Sequence, residues 1–278
     1  MRRLIGLMTD YGYRDVYVGV VKAVIKSINQ DAEIIDITHG ITRHDVLEAA
    51  VMLNVSADYF PRGTIFLVIV DPSVGTTRRA LLLETTRYVL LGPDNGCLTL
   101  LAERDGVKRA FDISNSDYRL PEVSQTFHGR DIFAPVAAWV SRGIPLEDVG
   151  VEIAYESLLK ITVEKPSINV EEGSITGSIL YVDIYGNVMT NIKARDIEAL
   201  KLPYGTKLQL VLDDKNYTCI YETTFCKVSK GEMACYINSW GFFEVAIYMG
   251  NAAKFLGADV YKRVKVKKVP TRDYHMLT

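Results

Sequence analysis

The run Thr64-Ile65-Phe66-Leu67-Val68-Ile69-Val70 carries no polar side chain between its first residue and the acid that ends it, Asp71. A strand with one wet face alternates apolar and polar residues. One that is apolar throughout is covered on both faces, as in parallel sheets layered between helices. The surrounding sequence agrees. Residues 4–8 form an apolar run followed by the amphipathic pattern Tyr17, Val20, Val21, Val24, Ile25, Ile28, which reads as a strand-helix unit. Residues 33–37 and then 45–57 repeat it, and further strands are expected at 80–84, 88–91 and 108–113, with helices at 97–103 and 132–141. The runs flanking Thr85-Thr86-Arg87 look like a hairpin. The fold expected for residues 1–163 is therefore an α/β domain with a central, mostly parallel or mixed sheet flanked by helices.

The pattern changes after about residue 160. Residues 164–173 are polar and punctuated by Pro166 and Gly173, which marks a linker. Beyond it, short strands dominate at 174–183, 207–212, 217–223 and 263–269, with a turn over 213–216. Residues 174–278 are read as a smaller β-rich domain, a barrel or a sandwich.

Charge narrows the partners. The 32 basic and 34 acidic residues nearly cancel, without long runs of one sign, so neither nucleic acid nor an acidic tail is indicated and a small neutral or zwitterionic ligand fits better. No apolar stretch approaches membrane-spanning length, and a cytoplasmic protein without a membrane partner is expected. Cys97, Cys219, Cys226 and Cys235 form no Cys-x-x-Cys pair, so zinc is disfavoured and four buried thiols are expected. There is no Gly-x-Gly-x-x-Gly and no phosphate loop.

Polar groups gather where strands end. Ligands of open α/β sheets bind outside the carboxyl ends of strands, and Asp10 stands at such an end, where a carboxylate can accept both hydrogens of a vicinal diol. Asp15 reads equally as a ligand contact or a helix cap. Asp71 repeats the placement after the buried strand, and Arg78 or its neighbour Arg79 can fold back toward it. His128 lies in Phe127-His128-Gly129-Arg130-Asp131, ahead of another helix. An acid, an arginine and His128 in one pocket could hold and polarise a water, the arginine favouring hydroxide and the imidazole accepting or relaying a proton. His39 and His44 read as loop residues, and Asp94 and Asn95 as a turn that could line the pocket. In the second domain, Asn187 and Asn191 bracket a short strand and offer amides that suit a purine edge. Glu244 sits among apolar neighbours, where a carboxylate needs a cation partner such as a substrate ammonium.

Taken in order, Thr9-Asp10-Tyr11-Gly12, Val70-Asp71-Pro72-Ser73-Val74-Gly75-Thr76, Gly92-Pro93-Asp94-Asn95-Gly96, Phe127-His128-Gly129-Arg130-Asp131, the stretch from Asp183 to Asn191, and Asn238-Ser239-Trp240-Gly241-Phe242 resemble the S-adenosyl-L-methionine hydroxide adenosyltransferase family over essentially the whole chain. The family also includes relatives that attack the same substrate with fluoride or chloride. The resemblance implies in-line attack of water or hydroxide on the ribose 5′-carbon, giving adenosine and L-methionine, with no metal and no cofactor beyond the substrate. It puts Asp71, Arg78 and His128 in the water-handling role, with Arg79 a rival for the arginine, and Asp10 on the ribose diol. Asp15, Tyr17, Asp94, Asn95, Asn187, Ser239, Trp240, Glu244, Ile247, Asn251 and Ala252 fall among substrate-binding positions, Trp240 departing from the family pattern. It further implies a homotrimer with active sites at subunit interfaces. Three alternatives stay open: a chloride-using halogenase, a hydrolase with a divalent ion on Asp10, Asp71, Asp94 and His128, and a nucleoside sensor without turnover.

Overall fold

A computed structural model describes residues 4–269. It divides into two compact units, Met1–Thr162 and Val163–Thr278. In the first, the elements run β1 (Leu4–Thr9), α1 (Tyr17–Ile28), β2 (Glu33–Thr38), α2 (Val46–Ser56), β3 (Ile65–Ile69), β4 (Ala80–Thr85), β5 (Val89–Pro93), α3 (Thr99–Asp105), β6 (Val107–Asp112), α4 (Ala134–Ser141) and β7 (Val151–Ile153). The strands form one sheet in the order β2-β1-β3-β5-β4-β6-β7. Its β2, β1, β3 and β5 run parallel, while β4 is antiparallel to both β5 and β6, so the sheet is mixed, as the hairpin predicts.

The both-face reading of β3 follows from the pleat, which sends alternate side chains to opposite sides. Ile65, Leu67 and Ile69 enter the core beneath α1 and α4. Phe66, Val68 and Val70 enter the second core beneath α2 and α3. β1 and β3 are neighbours in register, Thr9 opposite Ile69, so the acids that follow them emerge side by side at the carboxyl edge. A π-type turn, Gly129–Phe133, leads into α4, and helical backbone starts just after His128 rather than at residue 132.

The second unit comprises β8 (Ser167–Asn169), β9 (Ser174–Val182), β10 (Val188–Lys193), α5 (Ala194–Glu198), β11 (Thr206–Leu212), β12 (Lys215–Tyr221), β13 (Met233–Ile237), β14 (Phe242–Ile247), α6 (Ala252–Leu256) and β15 (Arg263–Lys268). Pairing runs β10-β14-β13-β12-β11-β15-β9 and closes through β9 with β10, which makes a seven-stranded barrel rather than a sandwich. The short β8 pairs with β9, so part of the polar stretch 164–173 is strand. β11 and β12 join through Asp213 and Asp214, both at positive φ, which suits the right-handed twist of a tight hairpin.

The cysteines depart from the expected four buried thiols. Cys219 on β12 and Cys235 on β13 are joined as a disulfide with Cα atoms 6.0 Å apart, Cys97 is buried and free, and Cys226 is exposed. Parallel pairing of β12 with β13 sets Tyr221 opposite Cys235 and brings the two thiols together inside the barrel, a juxtaposition that their 16-residue separation does not reveal.

Candidate active site

In the first unit the site is built on the edge where β1 and β3 end. After β3 the chain turns at Asp71, with Val74 N–H donating to the Asp71 carbonyl and Thr76 N–H to Ser73, and so brings Arg78 back over Asp71. Arg78 Nε donates to Asp71 Oδ1 at 2.9 Å, and Nη2 donates to Asp71 Oδ2, a bidentate pair whose side chains are 6% and 7% exposed. The same Nη2 reaches His128 Nδ1 at 2.8 Å. Phe133 lies against the guanidinium, its ring centroid 5.4 Å from Arg78 Cζ. Arg79 takes the other direction, because consecutive side chains of extended backbone point to opposite sides. Its Nε donates to Asp94 Oδ2 at 2.8 Å and its Nη2 to the Ser157 carbonyl at 2.6 Å. Geometry thus brings Arg78, not Arg79, to Asp71 and His128.

That contact defines the histidine. A guanidinium has donors and no acceptor, so Nδ1 of His128 must accept and the ring proton sits on Nε2. Burial, reinforced by the Arg78 charge, lowers the His128 pKa and favours this neutral form. The ring is held from behind. Asp131 accepts from Ser124 N–H, Ser124 Oγ–H and Arg130 Nε, fixing the loop that carries His128. Burial alone would raise the Asp131 carboxyl, but the Arg130 and Ser124 bonds outweigh it and hold the pKa below the usual range.

Asp10, Asp15, Tyr17, Asp71 and His128 line one cavity of ≈ 290 Å³, together with Tyr11, Arg43, His44 and Thr126. Asp10 lines the cavity, and its Oδ2 accepts from the His44 backbone N–H at 3.0 Å. Asp15 is not the helix cap: α1 begins after Val16 with no side-chain cap. His39 lies in the loop after β2, as read, and is buried there as a connector: Nδ1 lies 2.8 Å from Thr9 Oγ1 and Nε2 3.2 Å from Asp36 Oδ1, and Tyr11 N–H donates to Thr9 Oγ1. It ties the loop bearing Asp10 to β2. Arg43 has no sequence signal beyond its closeness to other polar residues, while Tyr11 appears only as part of the Thr9–Gly12 motif and His44 only as a loop histidine.

Asp94 and Asn95 do not reach this cavity. Asp94 is taken by Arg79 and by Leu159 N–H, while the Asn95 amide donates to the Val70 carbonyl at 2.8 Å, bracing the strand just before Asp71. With Asp94 engaged by Arg79 and Asp71 by Arg78, the metal-binding set Asp10, Asp71, Asp94 and His128 is not assembled. Among the described residues no group of three or more His, Cys, Asp or Glu is placed to hold a metal ion.

The second unit has its own cavity of ≈ 980 Å³, lined by Asn187, Ser239, Trp240, Glu244, Ile247 and Asn251 among others. Asn187 donates its amide to Asp183 Oδ2 at 2.8 Å, and Asp183 Oδ1 accepts from the N–H groups of Tyr185 and Asn187, closing the turn into β10. Gly186, at φ +83, lies so close to Asn251 that a Cβ would come within 2.2 Å of its amide. Ala252 does not line the cavity; it starts α6 and is buried in the barrel core. Asn191, inside β10 rather than at its end, accepts from Ser178 N–H and donates to the Glu164 carbonyl.

Within the chain, Glu244 is met by neutral donors. β13 and β14 pair Tyr236 with Glu244, and the carboxylate accepts from Tyr236 Oη–H at 2.6 Å and Asn238 Nδ2 at 2.8 Å. Burial, then the Glu244 carboxylate, push the Tyr236 phenol well above its ordinary range, so it remains a donor. Asn238 also accepts from Trp240 and Phe242 N–H, which shapes the turn that presents Ser239 and Trp240. Sequence reading did not single out Tyr236 or Asn238, whose role depends on this cross-strand register.

Residues 5–150 match the N-terminal domain, and residues 177–265 the C-terminal domain, of S-adenosyl-L-methionine hydroxide adenosyltransferases. The chain is 35% identical to an (R)-S-adenosyl-L-methionine hydrolase of Salinispora tropica, over 94% of this chain and 97% of that one. It is 31% identical to a protein of the same name from Methanocaldococcus jannaschii, covering 95% of each. A fluorinase of Actinopolyspora mzabensis is more distant at 27%, over 88% of this chain and 90% of that one. The crystal structure of an uncharacterized conserved protein from Thermotoga maritima superposes with a TM-score of 0.89 at 37% identity, covering 95% of this chain and 100% of that one.

Proposed function

The chain belongs to the S-adenosyl-L-methionine hydroxide adenosyltransferase family, and from that premise we propose that it hydrolyses S-adenosyl-L-methionine to adenosine and L-methionine as a cytoplasmic homotrimer. The observation that carries this reading is the Asp71–Arg78–His128 interlock, whose Asp71 and His128 line one cavity with Asp10 while Arg78 joins them from behind its wall. Asp10, fixed on one oxygen by His44, turns the other toward the ribose diol. The Arg78 guanidinium favours ionisation of a water at this spot. Asp71 holds that arginine in place, and His128, whose Nδ1 is occupied by Arg78, orients the water rather than removing its proton.

Hydroxide then attacks the 5′-carbon opposite sulfur. The C–S electron pair leaves on sulfur, so the cation becomes neutral methionine and the water's proton is released to solvent. A sulfonium is a good leaving group, and the protein's contribution is alignment and electrostatics. Asn187, Ser239, Trp240, Glu244, Ile247 and Asn251 are the proposed contacts to the nucleoside and amino-acid parts, completed between subunits of the trimer that the family resemblance implies.

Chromatography of products after incubation with S-adenosyl-L-methionine, with and without chloride and with and without chelator, tests the reading. Adenosine and methionine in equal amounts under all four conditions are expected. A 5′-chloronucleoside would favour the halogenase, loss of activity in chelator the metal enzyme, and no consumption of substrate the sensor.

A further inference from the structure

Tyr11 is a part of the first cavity that the scheme above leaves unused. It lines that space with Asp71 and His128. Its ring is clamped edge-on by Phe127, with centroids 5.9 Å apart, and packs against Tyr17 at 5.5 Å. Its backbone N–H is tied to Thr9 Oγ1. The hydroxyl points at Gly129, the residue after His128, so closely that a Cβ there would lie 2.5 Å from Tyr11 Oη. Glycine at this position is what lets a phenol, and not merely a benzene ring, occupy the spot. Among the described residues the Oη atom has no hydrogen-bond partner, whereas both Asp71 oxygens and His128 Nδ1 are engaged by Arg78.

We propose that the Tyr11 hydroxyl is a further catalytic group of this site, donating a hydrogen bond to the attacking oxygen. The inference rests on the water-handling role given above to Asp71, Arg78 and His128. Burial first, then the charges of Asp10 and Asp71, hold the phenol protonated, and the opposing effect of Arg78 is smaller. The phenol is thus a donor throughout and gives up no proton. The water's proton goes to solvent, the oxygen lone pair forms the bond to carbon, and the C–S pair leaves on sulfur.

A donor at this oxygen stabilises hydroxide over water. Below the pKa of the bound water each unit of lowering gives tenfold more hydroxide, while nucleophilicity falls by only about half as many powers of ten, as it does for thiolates. The other titratable residues lining the cavity are Asp10, Asp15, Tyr17, Arg43, His44 and Asp71, and all are present in both wild type and a Tyr11→Phe variant. Burial lowers the His128 pKa, which moves its ionisation away from the alkaline rise due to hydroxide.

The test is the pH profile of kcat/KM for Tyr11→Phe. We expect the alkaline rise to move up by about one pH unit, with a rate about threefold lower before the rise and no lower than wild type on the plateau. Adenosine binding should be unchanged. An identical profile, or a uniform loss at every pH as a packing defect would produce, overturns the proposal. Gly129→Ala gives a second reading. Its Cβ collides with the hydroxyl, so it should cost activity severalfold in wild type and much less on the Tyr11→Phe background; equal losses on both overturn the inference. Adenosine formation by the unaltered chain tests the hydrolase reading separately.

Discussion

Adjacent arginines of the same chemistry have opposite fates here, and the difference is measurable. Arg78 grips Asp71 through two nitrogens and His128 through one of them. Arg78→Lys keeps the charge but loses the fork, so turnover should fall by about 10²-fold or more. Arg79→Lys breaks only the Asp94 and Ser157 contacts, and should leave kcat near wild type while lowering the melting temperature by about 2–4 °C. If the two variants lose activity equally, the choice of Arg78 is wrong. His128 makes a pH prediction. Its folded pKa lies below the ordinary value of about 6.5, so its contribution is full above that value and is lost as pH falls through the lower folded value. Protonation would put an N–H at Nδ1 against the Arg78 donor. Turnover and melting temperature should therefore decline together as acidification carries the pH through that lowered value; loss of one without the other would contradict the neutral acceptor role.

The loops between strands and helices hold the chemistry, and they fit at one glycine. Gly75 has φ +80, and a Cβ there would sit 2.3 Å from the Gln125 carbonyl oxygen. The Asp71–Arg78 loop and the loop leading to His128 thus meet at Gly75 with no room for a side chain. Gly75→Ala should destabilise the fold by about 1–3 kcal/mol in urea titration and should also reduce turnover, because relieving the contact separates Arg78 from His128. Unchanged stability and rate would show that the loops are not so coupled. Elements differ in how readable they are. β3 is identifiable from local pattern because burial on both faces leaves an unbroken apolar run. β8 has three exposed residues and therefore no periodicity to read, and it falls in a stretch whose Pro and Gly signal a linker. β13 and β14 hide among residues that draw attention for their polar chemistry, although their cross-strand pairing is what gives Glu244 its partners.

Each compact unit carries a cavity holding part of the expected substrate-binding set. If trimeric sites combine the two, mixing inactive Asp71→Asn with inactive Glu244→Ala should restore part of the activity, and sedimentation should give three chains per particle. No recovery on mixing, with both variants trimeric, would count against shared sites. Local sequence was enough to establish the layered α/β domain, a turn within residues 213–216, a β-rich second domain, and most of the residues with chemistry to offer. These follow from periodicity, turn preference and side-chain type, all properties of neighbours along the chain. Barrel closure through β9 and β10, the disulfide of Cys219 with Cys235, the choice of Arg78, the accepting nitrogen of His128 and the withdrawal of Asp94 to Arg79 were decided by tertiary structure. Hydrogen bonds and ion pairs act over a few ångströms of space, and the groups they join can be distant in sequence, as Arg78 and His128 are at 50 residues apart.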